Sequence, residues 1–127
     1  MSTQRFTKDR RLLTPADFKH VMDGAEFKAH HSHYMLLAKA SALSSDRIGF
    51  IIAKKKVKLA VGRNRIKRCI RDTFRRRRQS TTSAALDIVF LAKPALADYP
   101  RELLHSDFEK SLQQLHSKLI KKITADS

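Results

Sequence analysis

The chain has 127 residues, 42% of them hydrophobic, and sets 27 Lys and Arg against 12 Asp and Glu for a formal charge of +15. That length predicts one domain over 1–127, with 1–12 and 124–127 flexible, and the apolar content suffices for a core without disulfides. The single Cys69 excludes an internal disulfide and argues against the usual zinc sites; the charged start MSTQRFTKDRRLL has no apolar run fit for a signal peptide or a membrane span, so a cytoplasmic protein is expected.

In chain order, Thr14-Pro15-Ala16-Asp17 reads as a helix start, with Thr14 as cap, Pro15 at the first helical position and Asp17 in the first turn. Phe18, Val21 and Met22 then lie on one side, and Gly24 ends the helix. Phe27 lies in a short extended piece. Residues 33–42 alternate as a strand, with Tyr34, Leu36 and Ala38 on one face and Met35, Leu37 and Lys39 on the other. A turn at 44–46 leads to a strand over 47–53, and an amphipathic helix is expected over 60–77. A Ser/Thr-rich loop at 79–83 precedes a strand over 87–93, with Asp87 placed in the turn before it. Pro100 opens a last helix whose Leu104, Phe108, Leu112, Leu115, Leu119 and Ile123 recur at spacings of three and four.

The strands are apolar on both faces, so both faces need cover. Two long helices can pack on one face, leaving the other to the short helix at 15–23. That helix is too short to roof a four-stranded sheet. A groove should remain, floored by Met35 and Leu37 and bounded by Phe18 and Met22; ordinary core packing is the other use of these four.

The charge is concentrated. Residues 54–78 carry thirteen cations and one acid, Asp72. Such clustering is the electrostatic footprint of a nucleic-acid binder, whose affinity comes from neutralised phosphates and released counterions. A surface made only for solubility would mix both signs, and a membrane-lying helix would carry Trp, Phe or Leu along its apolar side. On a wheel of about 100° per residue, Ile66, Cys69, Ile70, Thr73 and Phe74 share one arc. Asn64, Lys67, Arg68, Arg71 and Arg75 share the other. Arginine suits phosphate because its planar fork bonds two oxygens. Asn64 both donates and accepts, which fits a base edge or a 2′-hydroxyl as well as a local capping bond. Arg65 leans toward Asp72, a candidate intrahelical partner.

Residues 63–71, RNRIKRCIR, preceded by Ala53-Lys54-Lys55-Lys56, resemble the Arg-Asn-Arg signature of the bacterial ribonuclease P protein subunit. The resemblance spans most of the chain: LLTPADF at 12–18 leads into the first helix, RIGF at 47–50 leads a strand into the basic stretch, and DIVFLAKP at 87–94 follows the signature helix. It implies an α+β two-layer sandwich of order α-β-β-β-α-β-α, with a four-stranded sheet and the signature helix in a left-handed βαβ crossover, against the right-handed preference of about 98%. It implies a monomeric protein, one per catalytic RNA, that binds this RNA and precursor tRNA and supports removal of the 5′ leader. Catalysis would belong to the RNA and its Mg²⁺, with no catalytic or metal-binding side chain on the protein. By position, Arg63, Asn64, Arg65, Lys67, Arg68, Arg71 and Arg75, with Lys54, Lys55 and Lys56, would contact the RNA. Phe18, Met22, Met35, Leu37 and Lys39 would line the leader cleft. The family's cleft is commonly more aromatic; with Met22 and Leu37 here, leader contact would rest on van der Waals contact and Lys39.

Two rivals share the composition. A protein-only nuclease would need a metal-holding cluster, for which His30, His31 and His33 with Asp46 or Asp87 are the candidates; exposed loop residues are the plainer reading of these histidines. A non-enzymatic ribosomal or RNA-chaperone protein would have the same size and charge. No Gly-rich phosphate loop is present.

Overall fold

The computed structural model describes residues 13–41, 46–76 and 85–126. The expected loops at 44–45 and 79–83 lie outside them, as does 1–12. The elements are helix α1 (Pro15–Gly24), strands β1 (Phe27–His30), β2 (Tyr34–Ser41) and β3 (Arg47–Ile51), helix α2 (Ala60–Arg76), strand β4 (Ala85–Ala92), a short 3₁₀ turn (Pro94–Asp98) and helix α3 (Arg101–Asp126). The order is the expected one. The sequence pattern does not reveal the 3₁₀ turn, and α3 continues through 124–126, where a flexible end is expected.

The sheet order is β1-β2-β4-β3, with β3 and β4 parallel and the other pairs antiparallel. Central β4 is buried at every position but Leu91, which is why its residues other than Asp87 are apolar without alternation. On one face Ala29, Tyr34, Leu36, Ile48, Ile88 and Phe90 meet Ile66, Cys69, Ile70 and Phe74 of α2 and Leu104, Phe108, Leu112 and Leu115 of α3. Ile48 points its side chain into this core while its carbonyl turns outward and accepts the Leu13 N–H at 3.1 Å. Seen from the helical face with β3 ascending, an L-residue facing the viewer carries its carbonyl to the right. The neighbouring β4 therefore lies to the left, and the β3-α2-β4 connection is the left-handed one.

Among the described residues, the second face carries only α1. Thr14 accepts the Asp17 N–H at 3.3 Å and donates its own N–H to the Asp17 carboxylate at 3.1 Å, a reciprocal cap. Across the sheet, the side chains under α1 fall into rows set by the register. Val21 is fully buried on the row Leu37-Val89, and Phe18 lies on Gly49 of the same row, where a Cβ would come within 2.3 Å of the ring. In the next row Arg47 Nη1 donates to Asp17 at 2.8 Å, tying β3 to the helix start. Gly24 ends α1 without a positive φ; what it provides is room, since a Cβ there would sit 2.9 Å from the Lys39 ammonium.

Asp87 is no turn residue. It is the third residue of β4, opposite Lys39 and Arg47, and accepts two bonds from the Arg47 guanidinium at 2.9 and 2.8 Å. Polar links also bind the far side of the sheet to α3. His31 meets Asp107 at 2.8 Å and stacks on Tyr34, whose hydroxyl meets Ser111 at 2.8 Å; burial pushes the Tyr34 phenol up to about 12. Buried Asp46 accepts the Leu86 N–H at 2.8 Å and faces His116 at 2.7 Å.

Three carboxylates are held below their ordinary range: Asp17 by the Thr14 hydroxyl and N–H, Glu26 by Lys122, and Asp107 by the Tyr99 hydroxyl. A depressed carboxyl contributes stability above its unfolded value and loses that contribution as pH falls through its folded value. Urea midpoints should therefore fall as pH drops below roughly 4. Asp17→Asn should lower the midpoint at pH 7 and shrink that drop; an unchanged pH profile would mean this carboxylate is not coupled to folding.

Candidate nucleic-acid interface

Helix α2 divides as its sequence pattern requires. Ile66, Cys69, Ile70, Thr73 and Phe74 are buried, and burial pushes the Cys69 thiol up, consistent with its packing role. Thr73 directs its hydroxyl to the Cys69 carbonyl at 3.0 Å, so a polar residue sits in the core without an unpaired donor. The opposite side exposes Asn64, Arg65, Arg68, Arg71 and Arg75, with Lys67 half-buried. Lys54 and Lys55 are exposed and Lys56 half-buried in the turn that leads to the helix.

These cations are not equivalent. Arg63 turns back on the approach to its own helix, where Nη1 donates to the carbonyls of Val57 and Lys58, both at 2.9 Å. Arg71 lies over the Phe50 ring, 5.4 Å from its centroid, which fixes the guanidinium against the edge of the sheet. Arg75 pairs with Asp72 at 2.9 Å, while Arg65, the expected intrahelical partner of Asp72, points into solvent. Among the described residues, Asn64, Arg65, Lys67 and Arg68 have no side-chain partner, which leaves their donors available to a ligand. The helix reaches Arg76; residues 77 and 78 lie outside the described residues.

Among the described residues, the row left open on the second face is not the expected one. Leu37 is covered by Val21 and belongs to the core, and Met22 stands 42% exposed on the outer side of α1. The open row is His30-Met35-Leu91-Ile51, in register across all four strands. Met35 and Leu91 are half-buried and, like Phe18, pack against the cluster of Leu13, Val21, Leu37 and Val89, while His30 and Ile51 are exposed. Lys39 lies one row beyond Leu37, under the C-terminal end of α1, where a cation complements the helix carbonyls. Sequence reasoning misses Leu91, Ile51 and His30 because only strand register reveals them as neighbours of Met35.

The nuclease cluster does not assemble. His31 is held by Asp107, Asp46 lies against His116, and Asp87 binds Arg47. The histidines are not simply exposed loop residues either: His31 and His33 are half-buried, and His33 packs on Tyr99 with ring centroids 4.0 Å apart. Among the described residues, no three His, Cys, Asp or Glu side chains gather to hold an ion.

A family model described as Ribonuclease P matches residues 6–116. The chain belongs to the ribonuclease P protein family. It is 43% identical over 115 residues to the ribonuclease P protein component of Pseudomonas putida strain GB-1, covering 91% of this chain and 84% of that one. Against the component from Chromohalobacter salexigens it is 37% identical over 127 residues, covering 100% and 98%. In fold it is similar to a mutant Staphylococcus aureus RNase P protein with defective mRNA degradation activity (TM-score 0.77, 23% identity, 89% and 94% covered) and to the Thermotoga maritima RNase P protein (0.64, 22%, 83% and 94%). No helix among the described residues is long and apolar enough to cross a membrane.

In this family member, the wall of the groove depends on Arg47. Its side chain is 15% exposed and that of Asp87 9%, so removing the cation strands a buried carboxylate. The bonds to Asp87 raise the Arg47 pKa, with burial opposing them. Arg47→Ala should cost about 3 kcal/mol of stability, read as a lower urea midpoint; a loss under about 0.5 kcal/mol, the range of ordinary surface substitutions, would show that α1 is held by apolar contact alone.

Proposed function

We propose that this chain is the protein subunit of a ribonuclease P ribonucleoprotein, a tRNA 5′-maturation endonuclease. It binds the catalytic RNA through α2 and the lysine turn before it, holds the single-stranded 5′ leader of precursor tRNA along the open face of the sheet, and supports hydrolysis of the phosphodiester that joins leader to mature tRNA. The observation that carries this reading is the basic strip of α2: Asn64, Arg65, Lys67 and Arg68 are presented without side-chain partners among the described residues, beside cations that the fold has already oriented.

The chemistry fits a positioning role. Two RNA strands brought together repel each other, and a fixed array of cations lowers that repulsion while releasing counterions. In this proposal the Mg²⁺ is held by the RNA, and the protein supplies charge and shape around it. The groove contributes breadth of recognition: Met35, Leu91 and Ile51 form an apolar floor that any base can lie on, and Phe18 is the aromatic at its rim. The family's Arg-Asn-Arg signature falls on two kinds of site here. Asn64 and Arg65 face outward, and Arg63 bonds the preceding turn. One protein would serve each RNA, in the cytoplasm.

Adding the protein to a bacterial ribonuclease P RNA at low Mg²⁺ should stimulate cleavage of precursor tRNA at the leader junction. No stimulation would sink the proposal, and cleavage by the protein without RNA would point to a protein active site. Replacing Arg68 and Arg71 by Ala should weaken RNA binding and flatten the plot of log affinity against log salt by roughly 0.7 to 0.9 for each phosphate no longer neutralised. An unchanged slope would mean that neither arginine touches phosphate.

A further inference from the structure

Leu59 and Val61 are the two most exposed large apolar side chains among the described residues, at 74% and 68%. They sit within three positions of each other, in the most basic stretch of the chain. Lys54, Lys55 and Lys58 lie exposed before them; Arg65 and Arg68, four and seven residues after Val61, continue its stripe along α2.

The backbone that presents them is fastened from several sides. The Lys56 and Val57 N–H groups donate to the Ala53 carbonyl at 3.0 and 3.1 Å, closing the lysine turn, and the Arg63 N–H donates to the Leu59 carbonyl at 3.1 Å. Arg63 Nη1 then donates to the carbonyls of Val57 and Lys58, those of the two successive peptides that lead into Leu59. Val57 is buried and lies against Gly62, where a Cβ would come within 3.1 Å of it. Leu59 and Val61 thus project from an anchored turn. Left in water, two such side chains forgo the burial that stabilises their neighbours.

We propose that Leu59 and Val61 form an apolar prong that packs against an unpaired, unstacked nucleotide of the catalytic RNA. This rests on the RNA-binding function proposed for α2 and extends it from phosphate contact to base contact. The cationic surround selects a polyanion, and of the parts of an RNA only an exposed base or ribose face offers apolar surface to match the prong. Arg63 is then a positioning residue: it holds the prong and the lysine turn in place and need not touch RNA itself.

Apolar contact and phosphate contact separate in their salt dependence. The double variant Leu59→Ala/Val61→Ala, titrated with a bacterial ribonuclease P RNA over a range of salt, should bind on the order of tenfold more weakly with the slope of wild type. Both positions are exposed and alanine suits a helix start, so the thermal unfolding midpoint should hold. Leu59→Lys should also weaken binding, although it adds a cation. Wild-type affinity in the double variant, or tighter binding by Leu59→Lys, would overturn the prong. So would loss of binding to anionic phospholipid vesicles in the double variant with RNA affinity intact, which would assign these residues to a membrane. If the wild-type chain itself fails to bind the RNA, the proposed function falls and the prong with it; if it binds and the double variant binds equally, only the prong falls.

Discussion

Everything the basic surface does depends on how the apolar side of α2 is seated. Ile66, Cys69, Ile70 and Phe74 are buried against the sheet and α3, and a fully buried apolar side chain contributes about 1.5–3 kcal/mol. Against this stand the like-charged neighbours on the outer side, such as Lys67 with Arg71, each costing about 0.2–0.5 kcal/mol in water. Burial wins by a wide margin. A strip of cations that would repel itself apart in a free peptide is therefore held straight, and the backbone positions that carry its charges keep fixed spacings. The left-handed crossover follows from the same seating: α2 packs on the face toward which Ile48 points, while the Ile48 carbonyl marks the outer edge of β3.

The opposite face obeys a different constraint. Among the described residues its cover is one helix of ten residues, which cannot shield the sheet from edge to edge. The position of α1 is set by contacts with little freedom. The Arg47 fork joins Asp87 to Asp17, and the Phe18 ring occupies the space left by the missing side chain of Gly49. A larger residue at 49 would have to lift Phe18, and with it the helix. Among the described residues, the open row beside α1 is thus defined by what α1 fails to cover.

How much of this is legible in the sequence varies with the kind of information involved. The element order, the capped start of α1 and the two-sided character of α2 are legible because periodicity and cap chemistry are local. Strand register is not. Leu37 and Met35 alternate onto the same face and look equivalent in one strand, yet Val21 covers the first and leaves the second half-open. Asp87 looks like punctuation before an apolar run; its partner Arg47 lies forty residues away, and only the parallel pairing of β3 with β4 brings them opposite. His31 and Asp46 likewise read as surface residues until α3 supplies Asp107 and His116.

The cations of α2 show why charge counting alone says too little about a polyanion site. Arg63, Arg71 and Arg75 each have a protein contact, to backbone carbonyls, to an aromatic face and to a carboxylate. An arginine so held has already given up much of its rotamer freedom, so less is forfeited when RNA binds. Arg65, Lys67 and Arg68 keep that freedom, which the proposed RNA contact would use to match phosphate positions. In the proposed complex, Arg71 and Arg75 would establish register while the unpaired cations would follow the RNA backbone. That division needs both the anchored start of the helix and its buried side, and it turns a basic segment into a surface with a defined shape.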